Sequence, residues 1–252
     1  MSEVQTQLQA LVGKVRAKLQ SGANTEAALT SELKEFDTLL AAHSTEKTEE
    51  VAQILLMKAM LYVQVFHNFD QGEILFKQLQ SGFPDTQIGK NVEKILPAIL
   101  QQKEAMKTRS ALAVGTAFPD FQETDVAGQP LSLAKFKGKV VLVDFWATWC
   151  GPCVAELPNV LAAYQKYHDK GFEIVGISLD KDKAALDKFT KEKAMTWAQR
   201  FDGKGWDSEF IHKYGITSIP ATFLLDQEGK IIAADLRGPA LEAELAKRLE
   251  GK

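Results

Sequence analysis

The stretch VDFWATWCGPCVAELP, residues 143–158, holds both cysteines of the 252-residue chain, Cys150 and Cys153. It reads as a buried strand turning into a helix. Val140 to Trp146 is a nearly continuous apolar run, the mark of a strand covered on both faces, and Pro152 suits the first turn of a following helix. Cys150 therefore meets the unpaired N–H groups and positive dipole end of that helix, which favour thiolate over thiol. A thiolate there attacks a target disulfide, and Cys153, one helical turn on, resolves the mixed intermediate. Two thiols suffice for this cycle, so a redox-active Cys150–Cys153 disulfide needs no cofactor.

Rival chemistries each ask for a group the sequence lacks. Tetrahedral zinc wants four ligands, and no second CxxC or His-x-x-x-His motif accompanies the pair; His168 and His212 stand alone, so no metal is expected. Covalent haem requires His directly after the second cysteine, where Val154 stands. A purely structural disulfide would close a four-residue loop and stabilise little. A thiol peroxidase also uses a thiolate at a helix start. Its peroxiredoxin form wants Thr three positions before the cysteine, but Ala147 occupies that place and Thr148 is one residue late. Peroxidase activity remains the alternative.

Composition bounds the rest. Hydrophobic residues at 45% and charged residues at 25% are globular values, and a chain this long can bury a core in one large domain or two ordinary ones. The net charge of −3, split about −1 and −2 at residue 109, gives no electrostatic case for nucleic acid. Two cysteines cannot staple a protein of this size, so apolar burial must hold it together. The start, MSEVQTQLQALVGKVRAKL, lacks the apolar core and cleavage site of a secretory leader, and no run reaches the roughly 18 apolar residues of a membrane span.

The two halves differ in pattern. Residues 1–109 predict an all-α bundle of five helices. Leu8, Leu11, Val12, Val15 and Leu19 recur at helical spacing before Ser21-Gly22. A second segment begins after Asn24-Thr25, a third runs from about Glu49 to Phe66, a fourth follows His67-Asn68-Phe69-Asp70, and a fifth spans about Gln87 to Met106. Residues 51–84 resemble a single tetratricopeptide repeat, with Gly72, Phe76 and Pro84 near the expected places. Met60 sits where that pattern wants a small residue, and no second copy follows, whereas about three repeats are needed. A structural or dimer-forming bundle is the expectation, with a partner-binding surface as the alternative. His43 and His67 lie without nearby Cys or clustered carboxylates and predict no metal role.

Residues 110–252 alternate strand and helix. A hairpin turns at Ala127-Gly128-Gln129. Phe172 to Leu179 is a second buried strand, followed by a helix from about Lys183 to Lys193 and a short strand near Trp197. Gly205 to Tyr214 predicts a helix. Ala221–Leu225 and Ile231–Leu236 are strands, and Leu241–Leu249 is the last helix. A mixed sheet with helices on both faces is the simplest packing.

VDFWATWCGPC with Pro158 behind it, and YGITSIPATFLLDQEGK downstream, resembles the thioredoxin fold. The flanking AVGTAFPDFQETDVAGQPLSLAKFKGKVVL and GFEIVGISLDKD narrow the resemblance to TlpA/ResA-type thiol–disulfide oxidoreductases, over roughly residues 112–250. It does not extend to the helical half. The resemblance implies that Asp144, on the strand two residues before Trp146, relays a proton for Cys153, its pKa raised by burial. No lysine in FEIVGISLD matches the partner lysine of thioredoxins. Glu156, three residues after Cys153 and on the same helical face, matches a glutamate these proteins place near the thiols; a helix-terminal electrostatic role is its alternative. The Ile219–Pro220 bond is implied to be cis, with the Ile219 backbone free to pair with an extended client. Trp149, with Gly151 and Pro152, is expected to contact substrate, Trp146 to be core, and Pro158 to kink the helix.

The reading is therefore a two-domain protein, a helical bundle followed by a thioredoxin-like domain. Cys150 attacks, Cys153 resolves, and Asp144 and Glu156 manage protons. The Gly-Pro dipeptide favours reduction of protein disulfides. The resemblance further implies an extracytoplasmic site such as the bacterial periplasm, the chain being a mature form, and a membrane-bound thiol donor upstream; a cytoplasmic site is the alternative. An adaptor or redox sensor, with the helical domain as a homodimeriser or client-binding part, is the other reading.

Overall fold

The apolar run at residues 140–146 forms the centre of a sheet. The computed structural model describes residues 2–250, which divide near residue 104 into two units, residues 2–104 and residues 105–250.

In the first unit, α1 (Glu3–Gln20), α2 (Thr30–Ala42), α3 (Glu49–Gln64), α4 (Phe69–Gly82) and most of α5 (Gln87–Ala111) enclose Leu8, Leu11, Leu29, Phe36, Ile54, Phe76, Leu79 and Val92. Their starts follow side-chain chemistry. Ser2 and Gln5 form a capping box on α1, Thr48 caps α3 and Asn68 caps α4. The second helix begins later than its sequence pattern suggests: residues 25–29 form a turn closed by the Leu29 N–H on the Thr25 carbonyl, and α2 opens with the Leu33 N–H on the Leu29 carbonyl. Gly72 allows α3 and α4 to approach closely: a Cβ there would lie 2.4 Å from Val63 Cγ2. Two buried charges are paired, Glu32 with Lys18 at 2.7 Å and Lys58 with Asp37.

In the second unit, β1 (Glu123–Thr124) and β2 (Pro130–Leu131) form a small hairpin. The main sheet joins β3 (Val140–Trp146), β4 (Phe172–Ser178), β5 (Ala198–Arg200), β6 (Ala221–Leu225) and β7 (Ile231–Ala234) in the order β5-β4-β3-β6-β7. β4 is parallel to β3 and β5, whereas β6 is antiparallel to β3 and β7. This is a mixed thioredoxin-like sheet, with α6 (Gly151–Tyr167), α7 (Lys183–Glu192), α8 (Glu209–Lys213) and α9 (Pro239–Leu249) as its helices. β3 lies third of five and β4 beside it, so both are covered on two faces and read as apolar runs. On one face Phe145 meets Tyr214 and Phe223; on the other, Leu142, Asp144 and Trp146 share a cleft with α6.

The segment expected as one helix from Gly205 to Tyr214 is instead a 3₁₀ turn, Gly205–Asp207, and the short α8. Ser208 separates them because its hydroxyl caps α8 at Phe210 N–H while donating to Asp202 Oδ2 at 2.7 Å. Pro158 does not end α6, which continues to Tyr167.

Candidate active site

Cys150 is the N-cap of α6, with Pro152 in the first helical turn. Its Sγ accepts the Cys153 N–H at 3.2 Å, and the two sulfurs are joined as a disulfide. The same N–H and the helix dipole favour negative charge on the Cys150 sulfur once the bond is reduced. Both cysteines are buried, at 4% and 7% exposure, beneath a rim formed by exposed Gly151 and Pro152 and by Trp149, which is 55% exposed. Trp146 is core, its indole N–H donating to Gln199 Oε1 at 3.0 Å.

The loop between β3 and α6 is fixed by a carboxylate at the end of β4. Asp180 accepts the Thr148 N–H at 3.1 Å, the Thr148 hydroxyl at 2.6 Å and the Ser178 hydroxyl at 2.8 Å. Thr148 thus anchors the loop that carries Trp149 and Cys150. The sequence signal was an acid directly after the apolar run of β4, an expensive residue to bury unless it is fully bonded.

Behind the disulfide a narrow cleft holds about 20 Å³ of free volume, room for roughly one water molecule. Among the described residues, Cys153 lines this cleft and Cys150 does not; Asp144, Glu156, Pro220, Thr222 and Arg237 are also in its wall. Burial pushes the Asp144 carboxyl up to about 7, with the nearby Arg237 opposing the rise and Glu156 adding to it. Asp144 lies opposite Gly176 on β4 and Thr222 on β6. Gly176 leaves room for the Gln199 amide, whose Oε1 would stand 2.1 Å from a Cβ there. A glycine inside an apolar strand signals such a close approach.

Glu156 reaches the cleft wall, but its carboxylate is bonded elsewhere: Oε1 accepts the Gly238 N–H at 2.6 Å and Oε2 the Asn159 amide at 3.1 Å. The Ile219–Pro220 peptide is cis, and both residues are half-buried at the site's edge. Arg237, which sequence reasoning did not single out, donates to the Pro220 carbonyl at 2.6 Å and to the Thr222 hydroxyl at 3.0 Å. Among the described residues no group of three His, Cys, Asp or Glu is placed to hold a metal ion, and no helix is long and apolar enough to cross a membrane.

Residues 113–247 match the Redoxin family. The chain is 34% identical over 139 residues to the thiol-disulfide oxidoreductase ResA of Bacillus thuringiensis subsp. konkukian, covering 55% of this chain and 78% of the relative. It is similar to ResA of Bacillus subtilis at 31% identity, over 49% of this chain and 68% of the relative. Among solved structures, the thioredoxin domain of a thiol-disulfide oxidoreductase from Bacteroides vulgatus superposes with a TM-score of 0.51 at 37% identity, covering 54% of this chain and 98% of that one. A thiol:disulfide interchange protein from Bacteroides sp. gives 0.51 at 37% identity, over 56% and 93%.

Proposed function

The chain belongs to the Redoxin family and is a thiol–disulfide oxidoreductase, and from that premise we propose that it reduces disulfides of protein clients, with Cys150 as attacker and Cys153 as resolver. The observation that carries this reading is the different surroundings of the two sulfurs. Cys150 caps α6 under the exposed rim, whereas Cys153 faces the cleft that contains Asp144. In the reduced protein, the Cys150 thiolate attacks a client sulfur, forming a mixed disulfide and releasing the first client thiolate. Asp144 takes the proton of Cys153, whose sulfur attacks Cys150 Sγ and expels the second client thiolate. The client gains two electrons, and the Cys150–Cys153 disulfide is the product.

Trp149, Gly151 and Pro152 form the client-facing rim, and the Ile219 backbone beside Pro220 pairs with an extended client segment. Glu156 adjusts the charge around Asp144. The Gly-Pro dipeptide supports the reducing direction. We place the protein in an extracytoplasmic compartment such as the bacterial periplasm, recharged by a membrane-bound thiol donor. Residues 1–109 act as a partner-binding or homodimerising domain, and residues 110–252 as the redox domain. A groove of about 500 Å³ between α1 and α3, lined by Val12, Val15, Leu19, Met57 and Met60, supports that role. The peroxidase alternative is not favoured, since the matched relatives named above are thiol–disulfide oxidoreductases or interchange proteins.

The test is the full chain with Cys153→Ser, expressed with a leader in a bacterial periplasm. It should accumulate a mixed disulfide on Cys150 with protein clients, identified by mass spectrometry, while the wild type reduces insulin with dithiol as electron source. Turnover by the wild type without any trapped species would refute the assignment of attacker and resolver.

A further inference from the structure

The cation nearest the proton acceptor does not come from the neighbouring parallel strand. In register with Asp144, β4 offers Gly176, and the space above it is filled by the neutral Gln199 amide. On the other side, β6 offers Thr222, and Arg237 lies over it with Nη1 donating to the Thr222 hydroxyl at 3.0 Å. The same guanidinium donates to the Leu236 carbonyl at 2.7 Å and, through Nη2, to the Pro220 carbonyl at 2.6 Å. A planar fork of donors suits this set of oxygens; a lysine ammonium, a single point charge on a flexible stem, does not.

We propose that Arg237 is the positioning residue of the site, holding the client-docking backbone by the Pro220 carbonyl and presenting its charge to Asp144 from across the cleft. This rests on the reading of Asp144 as proton acceptor for Cys153. The titratable groups facing Asp144 are Cys153 and Glu156 from α6 and Arg237 from the segment after β7. β4 and β6 supply only Gly176 and Thr222, and α7 presents the apolar Phe189. Asp235 stands behind Arg237 at 3.9 Å and is itself paired with Arg109 at 2.6 Å, which leaves the guanidinium's field less neutralised toward the cleft. Arg237 and Asp144 make no direct ion pair, and the free volume between the cleft walls fits about one water. The coupling therefore acts through space and is partly screened, since the Arg237 side chain is 32% exposed. Burial and Glu156 both favour the protonated acid, which cannot accept the Cys153 proton; Arg237 opposes both. One side chain thus links docking geometry to readiness of the base.

The experiment uses the full chain with ¹³C-labelled aspartate carboxyls, the Asp144 signal assigned by its loss in Asp144→Asn. Arg237→Gln should raise the titration midpoint of Asp144 by on the order of one pH unit, and Arg237→Lys should leave it nearly in place. In stopped-flow measurements of mixed-disulfide resolution, the Gln variant should be roughly fivefold slower near neutral pH and recover at higher pH, as that midpoint shift requires. Both variants should raise KM for a protein client, because neither reproduces the fork on Pro220 and Thr222. An unmoved Asp144 midpoint in Arg237→Gln overturns the electrostatic role, and an unchanged KM in Arg237→Lys overturns the docking role. Should the Gln variant fail to fold, the Lys variant still decides: raised KM with an unmoved midpoint supports the proposal, and a midpoint raised as far as charge loss predicts overturns it. A midpoint that moves without the resolution rate following supports the action of Arg237 on Asp144 and refutes Asp144 as the proton acceptor.

Discussion

Glu156 on α6 accepts the backbone N–H of Gly238, the residue that opens α9, at 2.6 Å. Gly238 has φ of 51°, a conformation open to glycine at little cost, and it follows directly on Arg237. The segment carrying Arg237 is therefore held from two sides, by its own guanidinium and by the Glu156 carboxylate. Glu156 acts on Asp144 as a charge and on this segment as a tether.

Those two actions separate by substitution. Glu156→Gln keeps an oxygen for the Gly238 N–H but removes the negative charge that raises the Asp144 pKa, so the Asp144 midpoint should fall below about 7 while stability changes little. Glu156→Ala loses the tether as well and should cost about 1.5–3 kcal/mol, the range for a hydrogen bond to a charged group. Carboxyl NMR titration reads the first effect and urea denaturation the second. Equal stability of the Gln and Ala variants would refute the tether.

Asp144 predicts a dependence of stability on pH with a definite sign. Folding raises its pKa from the ordinary 3.8 to about 7. Below pH 4 both states hold the proton and no penalty exists. Between about 4 and 7 the unfolded chain releases it while the folded chain keeps it, so this residue makes stability fall as pH rises, levelling off above 7. The full effect is on the order of 4 kcal/mol. Asp144→Asn should abolish that decline, so the variant's stability relative to wild type should grow from pH 4 to pH 8 in denaturant titrations. A constant difference across this range would show that the carboxyl is not raised. The same variant should slow resolution of the mixed disulfide by about 10²-fold near neutral pH.

The fold was legible because the sheet's two central strands, β3 and β4, are buried on both faces and so carry unbroken apolar runs, and because Cys150 and Pro152 mark the start of α6. The cis bond before Pro220 was implied by the family resemblance, since its local sequence differs little from an ordinary X-Pro pair. Arg237 escaped notice because its meaning is tertiary: one arginine ahead of α9 has no pattern until β6 brings Thr222 and Pro220 beneath it. Thr148 stands one place from the peroxidase position in sequence, yet its hydroxyl is occupied by Asp180, 32 residues away. The break at Ser208 was missed for a similar reason, because its hydroxyl answers both to Asp202 and to the start of α8.

The Thr148–Asp180 pair gives the next expectation. Thr148→Val keeps the shape of the side chain but leaves one Asp180 oxygen short of a donor, at a cost of about 1–3 kcal/mol. Because that hydroxyl steadies the loop bearing Trp149, client KM should rise in proportion as the loop loosens, while reduction of a small disulfide changes little. Equal losses for protein and small-molecule substrates would show that the pair serves stability alone.

Gly176 supplies the last. A methyl group at this position would press on the Gln199 amide, whose nearest atom lies 2.1 Å from the Cβ site, and Gln199 is itself buried and accepts from the Trp146 indole. Gly176→Ala must therefore turn the amide away and leave the indole N–H unpaired, a combined overpacking and hydrogen-bond loss of about 2–4 kcal/mol. Trp146 fluorescence should shift with the lost bond, and thermal unfolding should come earlier. Gly176→Ala with Gln199→Ala should recover part of the stability, since the smaller side chain relieves the clash although the indole stays unpaired. No recovery in the double variant would mean that the strand backbone, rather than the Gln199 amide, is what requires glycine opposite Asp144.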